Sequence, residues 1–163
     1  MEIRAIEELY RRYGSSVYRR ARAILGNEHR AQDAMHEVFI RALCAQEAWQ
    51  DSSSPVAWLY RVTTNYCVNL IRNEKRRAEL LAQEGGLIEP RAEAPGDVRL
   101  TLKQVLLSVE PELREVAICF HLDGMTQTEA AEHLGVSRRT VGYRLQALRE
   151  VLRSSTSEGT TER

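Results

Sequence analysis

Apolar residues recur at steps of three and four along most of the chain, the period of amphipathic α-helices. Ile3, Ile6, Leu9, Tyr13, Val17, Ala21 and Ile24 mark one face of a first helix, which Gly26 ends. Asn27 is placed to cap a second helix running to about Ala48, with apolar positions at Ala31, Ala34, Met35, Val38, Phe39, Ala42 and Leu43. The polar stretch Gln50-Asp51-Ser52-Ser53-Ser54 follows. Ser54 and Pro55 read as N-cap and first-turn proline of a third helix through about Arg77, fraying after Leu81. Leu59, Val62, Tyr66 and Leu70 form its expected core-facing arc.

A second helical block begins near residue 99. Leu102, Val105, Leu106 and Val109 share one face, and Pro111 opens a helix that turns Leu113, Val116, Ala117 and Phe120 inward. Thr126-Gln127-Thr128-Glu129 is a capping box for a short helix that Gly135 ends. Ser137 caps the last helix, with Val141, Leu145, Leu148 and Leu152 facing in. Between the blocks, residues 78–98 hold five acids, one base, Gly85-Gly86, Pro90 and Pro95-Gly96, which reads as a linker. At ~3.3 Å per residue such a segment spans up to about 70 Å. The expected organisation is therefore all-α: a helical domain over 1–81, an acidic flexible linker over 82–98, a helix-turn-helix domain over 99–153, and a disordered tail over 154–163.

Composition sharpens this picture. The 163 residues are 43% hydrophobic, too apolar for a disordered chain, and only 6% aromatic, which disfavours an all-β fold. Of 23 basic residues only Lys75 and Lys103 are lysine, a bias toward the planar fork that suits phosphates and base edges. The same bias arises in GC-rich genomes. The formal net charge of zero excludes DNA binding by bulk charge and leaves room for local basic stripes. No apolar run approaches the ~20 residues of a membrane span, and Met1-Glu2-Ile3-Arg4 lacks a signal peptide's apolar stretch. Cys44, Cys67 and Cys119 are widely spaced within helical patterns, as reduced thiols of a cytoplasmic protein would be. The four histidines make no metal-binding spacing, and no nucleophile–base pair or phosphate-cradling glycine loop suggests an enzyme. Neither metal nor cofactor is expected.

Three faces carry candidate chemistry. In the helix-turn-helix, Ala131 is small where two helices approach, Gly135 turns the chain and Val136 plugs the turn. Val141 and Leu145 anchor the second helix, leaving Arg138, Arg139, Gly142, Tyr143, Gln146 and Arg149 opposite. Arg138, Arg139 and Tyr143 are the expected base readers, because such a helix enters the major groove by its N-terminal end. Charge agrees: Glu110–Leu134 holds six acids and one base, Ser137–Arg153 five bases and one acid. On the third helix, Trp58, Arg61, Asn65, Asn69, Arg72 and Arg76 fall within an arc of about 80°, a stripe suited to a nucleic acid strand or to plain solvated surface. Trp49 and the serine-rich loop offer a weaker candidate pocket for an extruded base. On the second helix, Asp33, His36, Glu37 and Arg41 form a mixed, acid-leaning stripe, either solvated surface or a protein-docking face.

Taken in order, the segments resemble the extracytoplasmic-function (ECF) sigma factors, minimal members of the bacterial sigma-70 family. The resemblance runs from Glu8 to Arg153 with a gap at the linker. It rests on Leu9-Tyr10-Arg11-Arg12-Tyr13, on the run from Ala31 to Ala42, on Ala57-Trp58-Leu59-Tyr60-Arg61-Val62 with Asn65, Asn69 and Arg72, on Pro111 to Val116, and on Thr126 to Leu148. The resemblance implies that Asp33, His36, Glu37 and Arg41 dock on the clamp of the polymerase largest subunit. It implies that Trp58, Arg61, Asn65, Asn69, Arg72 and Arg76 recognise and melt the −10 element. The −35 duplex would be read by Arg138, Arg139, Thr140, Tyr143, Arg144 and Gln146, and an anti-sigma factor would be a further partner. Gly142, Tyr143 and Gln146-Ala147 depart from the residues common in the family, which implies a different −35 preference. A stand-alone repressor or activator, and a sigma mimic that sequesters an anti-sigma factor, remain open as alternatives.

Overall fold

The computed structural model describes residues 2–50, 54–85 and 98–158, and all regular structure among them is helical. The chain divides into two compact units, 1–107 and 108–163.

In the first unit, α1 (Glu2–Leu25), α2 (Glu28–Cys44) and α4 (Pro55–Gln83) pack on one another, with the short α3 (Gln46–Gln50) against α2 and α4. The α1–α2 corner follows the sequence: Gly26 has φ 69°, and the Asn27 side chain accepts the Arg30 N–H at 3.0 Å. The second helix stops earlier than the expected Ala48. Ala45 caps α2 by donating to the Arg41 carbonyl, and α3 begins as a separate turn. Trp49 explains the break. Its indole N–H reaches back 2.8 Å to the Ala42 carbonyl, a group the ending helix leaves without an in-helix partner. The Ser54 cap and Pro55 first turn are as expected, with Ser54 accepting the Ala57 N–H at 3.3 Å. Most of the serine loop and residues 86–97 of the expected linker lie outside the described residues.

The core face of α4 differs from expectation. Leu59, Thr63, Thr64, Cys67, Val68 and Ile71 are buried, while Val62, Tyr66 and Leu70 are half-buried. Two threonines enter the core because their hydroxyls are satisfied there. Thr63 Oγ1 donates to the Leu59 carbonyl at 2.7 Å, and Thr64 Oγ1 accepts from Arg20. Ile3 and Leu43, read as inward, stand 69% and 48% exposed.

α5 (Val98–Ser108) ends at the boundary between the units, later than the start at 99 expected for the second domain. In the second unit α6 (Pro111–Ala117) passes directly into a π-helical turn, Ile118–Leu122, that the 3.6-residue pattern does not reveal. Then come α7 (Gln127–Leu134) and α8 (Arg138–Glu158). Val116, Cys119, Ala130, Ala131, Val141 and Leu145 form their shared core. α8 continues to Glu158, past the expected start of a disordered tail at 154, and the Ser154 hydroxyl bonds the Glu150 carbonyl within it.

Candidate nucleic-acid interfaces

The helix-turn-helix is built by three local devices. The Thr126 hydroxyl accepts the Glu129 N–H at 3.2 Å while Glu129 accepts the Thr126 N–H at 2.7 Å, a reciprocal cap that fixes where α7 starts. These two Thr126 bonds, the backbone one foremost, hold the Glu129 carboxyl below its ordinary pKa. Gly135, at φ 67°, ends α7, and half-buried Val136 packs into the core from the turn. Ser137 Oγ then accepts the Thr140 N–H at 3.1 Å and opens α8.

With Val141, Leu145 and Leu148 buried, the opposite side of α8 faces solvent. Arg138, Arg139, Gly142, Tyr143 and Gln146, together with Gln127 of α7, line an open cleft of about 470 Å³. Arg139 Nε donates to Tyr143 Oη at 2.9 Å, and its guanidinium lies 5.4 Å from the ring centroid. Two of the expected readers sit elsewhere. Thr140 is half-buried with its hydroxyl against Ser137 Oγ, and Arg144 turns toward α6, 3.9 Å from Glu112. Gln127 was not singled out as a reader in the sequence; its place at the first turn of α7, across from Gly142, brings it to the cleft.

In the first unit, Arg61, Asn65, Asn69, Arg72 and Arg76 are all exposed along α4, and Arg72 Nη1 donates to Asn69 Oδ1 at 3.1 Å. Trp58 is half-buried and packs on the core formed by Leu9, Val17, Val38, Phe39, Ala42, Trp49 and Leu59. Trp49 is 5% exposed and committed to Ala42, so it lines no pocket for an extruded base.

What holds the stripe in place is a residue the sequence did not single out. Arg20 of α1 is buried, and its Nη1 donates to both the Tyr60 carbonyl and Thr64 Oγ1 at 3.0 Å. Its guanidinium also lies 4.1 Å over the Tyr60 ring. These groups flank Arg61 and Asn65 on the inner side of the same turns. Beneath them, burial pushes the Cys67 thiol up to about 12, against the opposing fields of Arg30 and Arg20.

On α2, Asp33, His36 and Arg41 are exposed and Glu37 half-exposed. Arg41 Nε donates to Glu37 Oε1 at 2.8 Å, and its guanidinium lies 4.8 Å over the Tyr66 ring of α4. Ile40 and Leu43 stand beside this stripe, 55% and 48% exposed, giving it an apolar margin. Among the described residues no cluster of three or more His, Cys, Asp or Glu side chains offers a metal site, and no helix is long and apolar enough to cross a membrane.

Comparison with known proteins matches residues 9–77 to Sigma-70 region 2 and residues 99–152 to Sigma-70 region 4. The chain is 31% identical to the ECF RNA polymerase sigma factor SigE of Mycolicibacterium smegmatis over 96% of its own length and 63% of that relative's. It is 30% identical to the RNA polymerase sigma factor CnrH of Cupriavidus metallidurans, covering 87% of this chain and 81% of that one. It is 28% identical to the ECF RNA polymerase sigma factor SigW of Bacillus subtilis, over 86% and 83%. Among solved structures, CnrH in complex with the cytosolic domain of CnrY aligns with a TM-score of 0.54 at 25% identity, covering 97% of this chain and 90% of that one. RpoE of Bartonella quintana, in complex with the anti-sigma factor NepR, has the same TM-score at 20% identity, over 96% and 98%, and shares the fold.

Proposed function

Because the chain belongs to the sigma-70 family of RNA polymerase sigma factors, in its extracytoplasmic-function branch, we propose that it binds core polymerase in the cytoplasm and directs initiation at promoters with −10 and −35 elements. It does so without catalysis of its own. The observation that carries this reading is the pairing of two exposed nucleic-acid faces, one in each region-matched unit: the Arg/Asn stripe of α4 and the cleft face of α8.

The division of labour follows from the chemistry of each face. On α4, Asn65 and Asn69 offer both donor and acceptor to the edge of an unpaired base, while Arg61, Arg72 and Arg76 neutralise the adjacent phosphates. Such a stripe suits the opened −10 strand. Trp58 contributes mainly by fixing the start of the stripe, since its ring packs on the core. On α8, the N-terminal turn bearing Arg138 and Arg139 enters the major groove of the −35 duplex, with Tyr143 and Gln146 one and two turns on. Thr140 and Arg144 support α8 from its flanks. The acidic α2 stripe of Asp33, His36, Glu37 and Arg41, which phosphate repels, is the polymerase-docking face. In the domain scheme, 1–81 docks and melts, 82–98 tethers, and 99–153 reads duplex.

An anti-sigma factor is a further partner in this reading, by analogy with the complexes of CnrH with CnrY and of RpoE with NepR. Run-off transcription with core polymerase on a genomic promoter library tests the proposal. Specific transcripts that need both the chain and core polymerase are the expected result, and failure to bind core polymerase in a pull-down contradicts it.

A further inference from the structure

Gly142 stands in the interior of α8 without a backbone reason to be glycine. The described glycines with positive φ are Gly26, Gly85, Gly124 and Gly135. A Cβ at position 142 would meet only Gln127 Oε1, at an ordinary 3.9 Å. Nothing within the protein therefore excludes alanine, although glycine weakens a helix interior. The residue forms the floor of the cleft between Gln127 and Tyr143. An outside ligand that comes close to the helix backbone there accounts for the missing side chain.

The neighbouring arginine indicates what that ligand presents. Arg139 occupies the second position of α8, in the turn from which such helices contact base edges. Its Nε is committed to Tyr143 Oη, which leaves the Nη1–Nη2 edge as its outward fork. Two parallel donors match guanine O6 and N7; adenine places an N6 donor where guanine has O6 and so opposes one of them.

Building on the promoter-reading function above, we infer that the cleft over Gly142 is the subsite for a single G·C pair of the −35 duplex. Gly142 admits the base-pair edge close to the backbone, and Arg139 reads guanine O6 and N7. Tyr143 is a positioning residue that keeps the Arg139 fork turned outward.

The test uses the full chain assembled with core polymerase, competed on duplexes randomised across the −35 region, with thermal unfolding of the free chain in parallel. Wild type selects guanine at one position. Arg139→Ala abolishes that preference, a loss of about 10-fold or more there, and leaves other positions unchanged. Tyr143→Phe, which keeps the ring and removes the hydroxyl, weakens the same preference in part. Gly142→Ala raises the unfolding midpoint by about 4 °C yet weakens duplex binding about 10-fold. The inference is overturned if Arg139→Ala weakens all sequences evenly, as a phosphate contact would, or if Gly142→Ala binds as tightly as wild type. A wild-type complex that transcribes a defined promoter while Arg139→Ala keeps its guanine preference overturns the subsite alone. Absence of any duplex preference in the wild-type complex overturns the promoter-reading function with it.

Discussion

Arg20 of α1 and Thr64 of α4 are joined by a buried hydrogen bond of 3.0 Å, between helices 44 residues apart in sequence. The same guanidinium nitrogen holds the Tyr60 carbonyl, and the cation covers the Tyr60 ring. Removing it strips several charge-assisted contacts from one place. Arg20→Ala is expected to cost about 3 kcal/mol. Both tryptophans, Trp49 and Trp58, lie in the first unit, so denaturant unfolding followed by tryptophan fluorescence reports that unit. An unchanged midpoint would contradict the assigned role.

The Cys67 thiol gives the first unit a defined alkaline sensitivity. An unfolded thiol ionises near 9.0, the folded one only at about 12. Between these values the native state keeps a proton that the unfolded state releases. The contribution is thus whole below pH 9 and is lost as pH rises toward 12. Between pH 8 and 10.5 the wild-type fluorescence midpoint is expected to fall further than that of Cys67→Val. In parallel, a thiol reagent at pH 8 should modify exposed Cys44 in the native protein, and buried Cys67 and Cys119 only on unfolding.

At the turn of the helix-turn-helix, Gly135→Ala places a Cβ at φ 67°. The left-handed conformation costs roughly 1–2 kcal/mol for a non-glycine residue. Because the second unit has no tryptophan, the loss should appear in circular dichroism and leave the fluorescence transition in place. A coincident shift of both signals would show that the two units do not unfold separately.

On the docking face, Asp33→Arg changes an exposed side chain and should leave stability within about 0.5 kcal/mol. The Glu37–Arg41 bond beside it is likewise of small value to folding. Affinity for core polymerase, measured by competition with wild type, is expected to fall about 10-fold or more, roughly 1.4 kcal/mol. Equal competition would remove this face from the docking surface.

Much of this architecture was legible because its signals are local. The caps at Asn27, Ser54 and Thr126 and the turn glycines at 26 and 135 act within four residues, and the structure uses each as its sequence neighbourhood indicates. Features decided by tertiary contact were not legible. The break after Cys44 depends on Trp49 folding back onto Ala42, and the offset core face of α4 depends on Arg20 satisfying Thr64. A hydrophobicity pattern scores both threonines as polar and Arg20 as surface. At the candidate sites, helical spacing placed Asn65, Asn69 and Arg139 on exposed faces. It could not show that Arg144 leans toward Glu112, that Trp58 joins the core, or that Gln127 of a different helix completes the cleft.

Strand opening by α4 is the claim on which the account most depends, and permanganate reactivity of promoter thymines measures it directly. Holoenzyme assembled with the wild-type chain should make thymines of the −10 element reactive. Asn65→Ala, an exposed change that leaves core polymerase binding and −35 duplex contact in place, should leave them protected. Equal reactivity with the two chains would contradict the assignment of α4 to the opened strand.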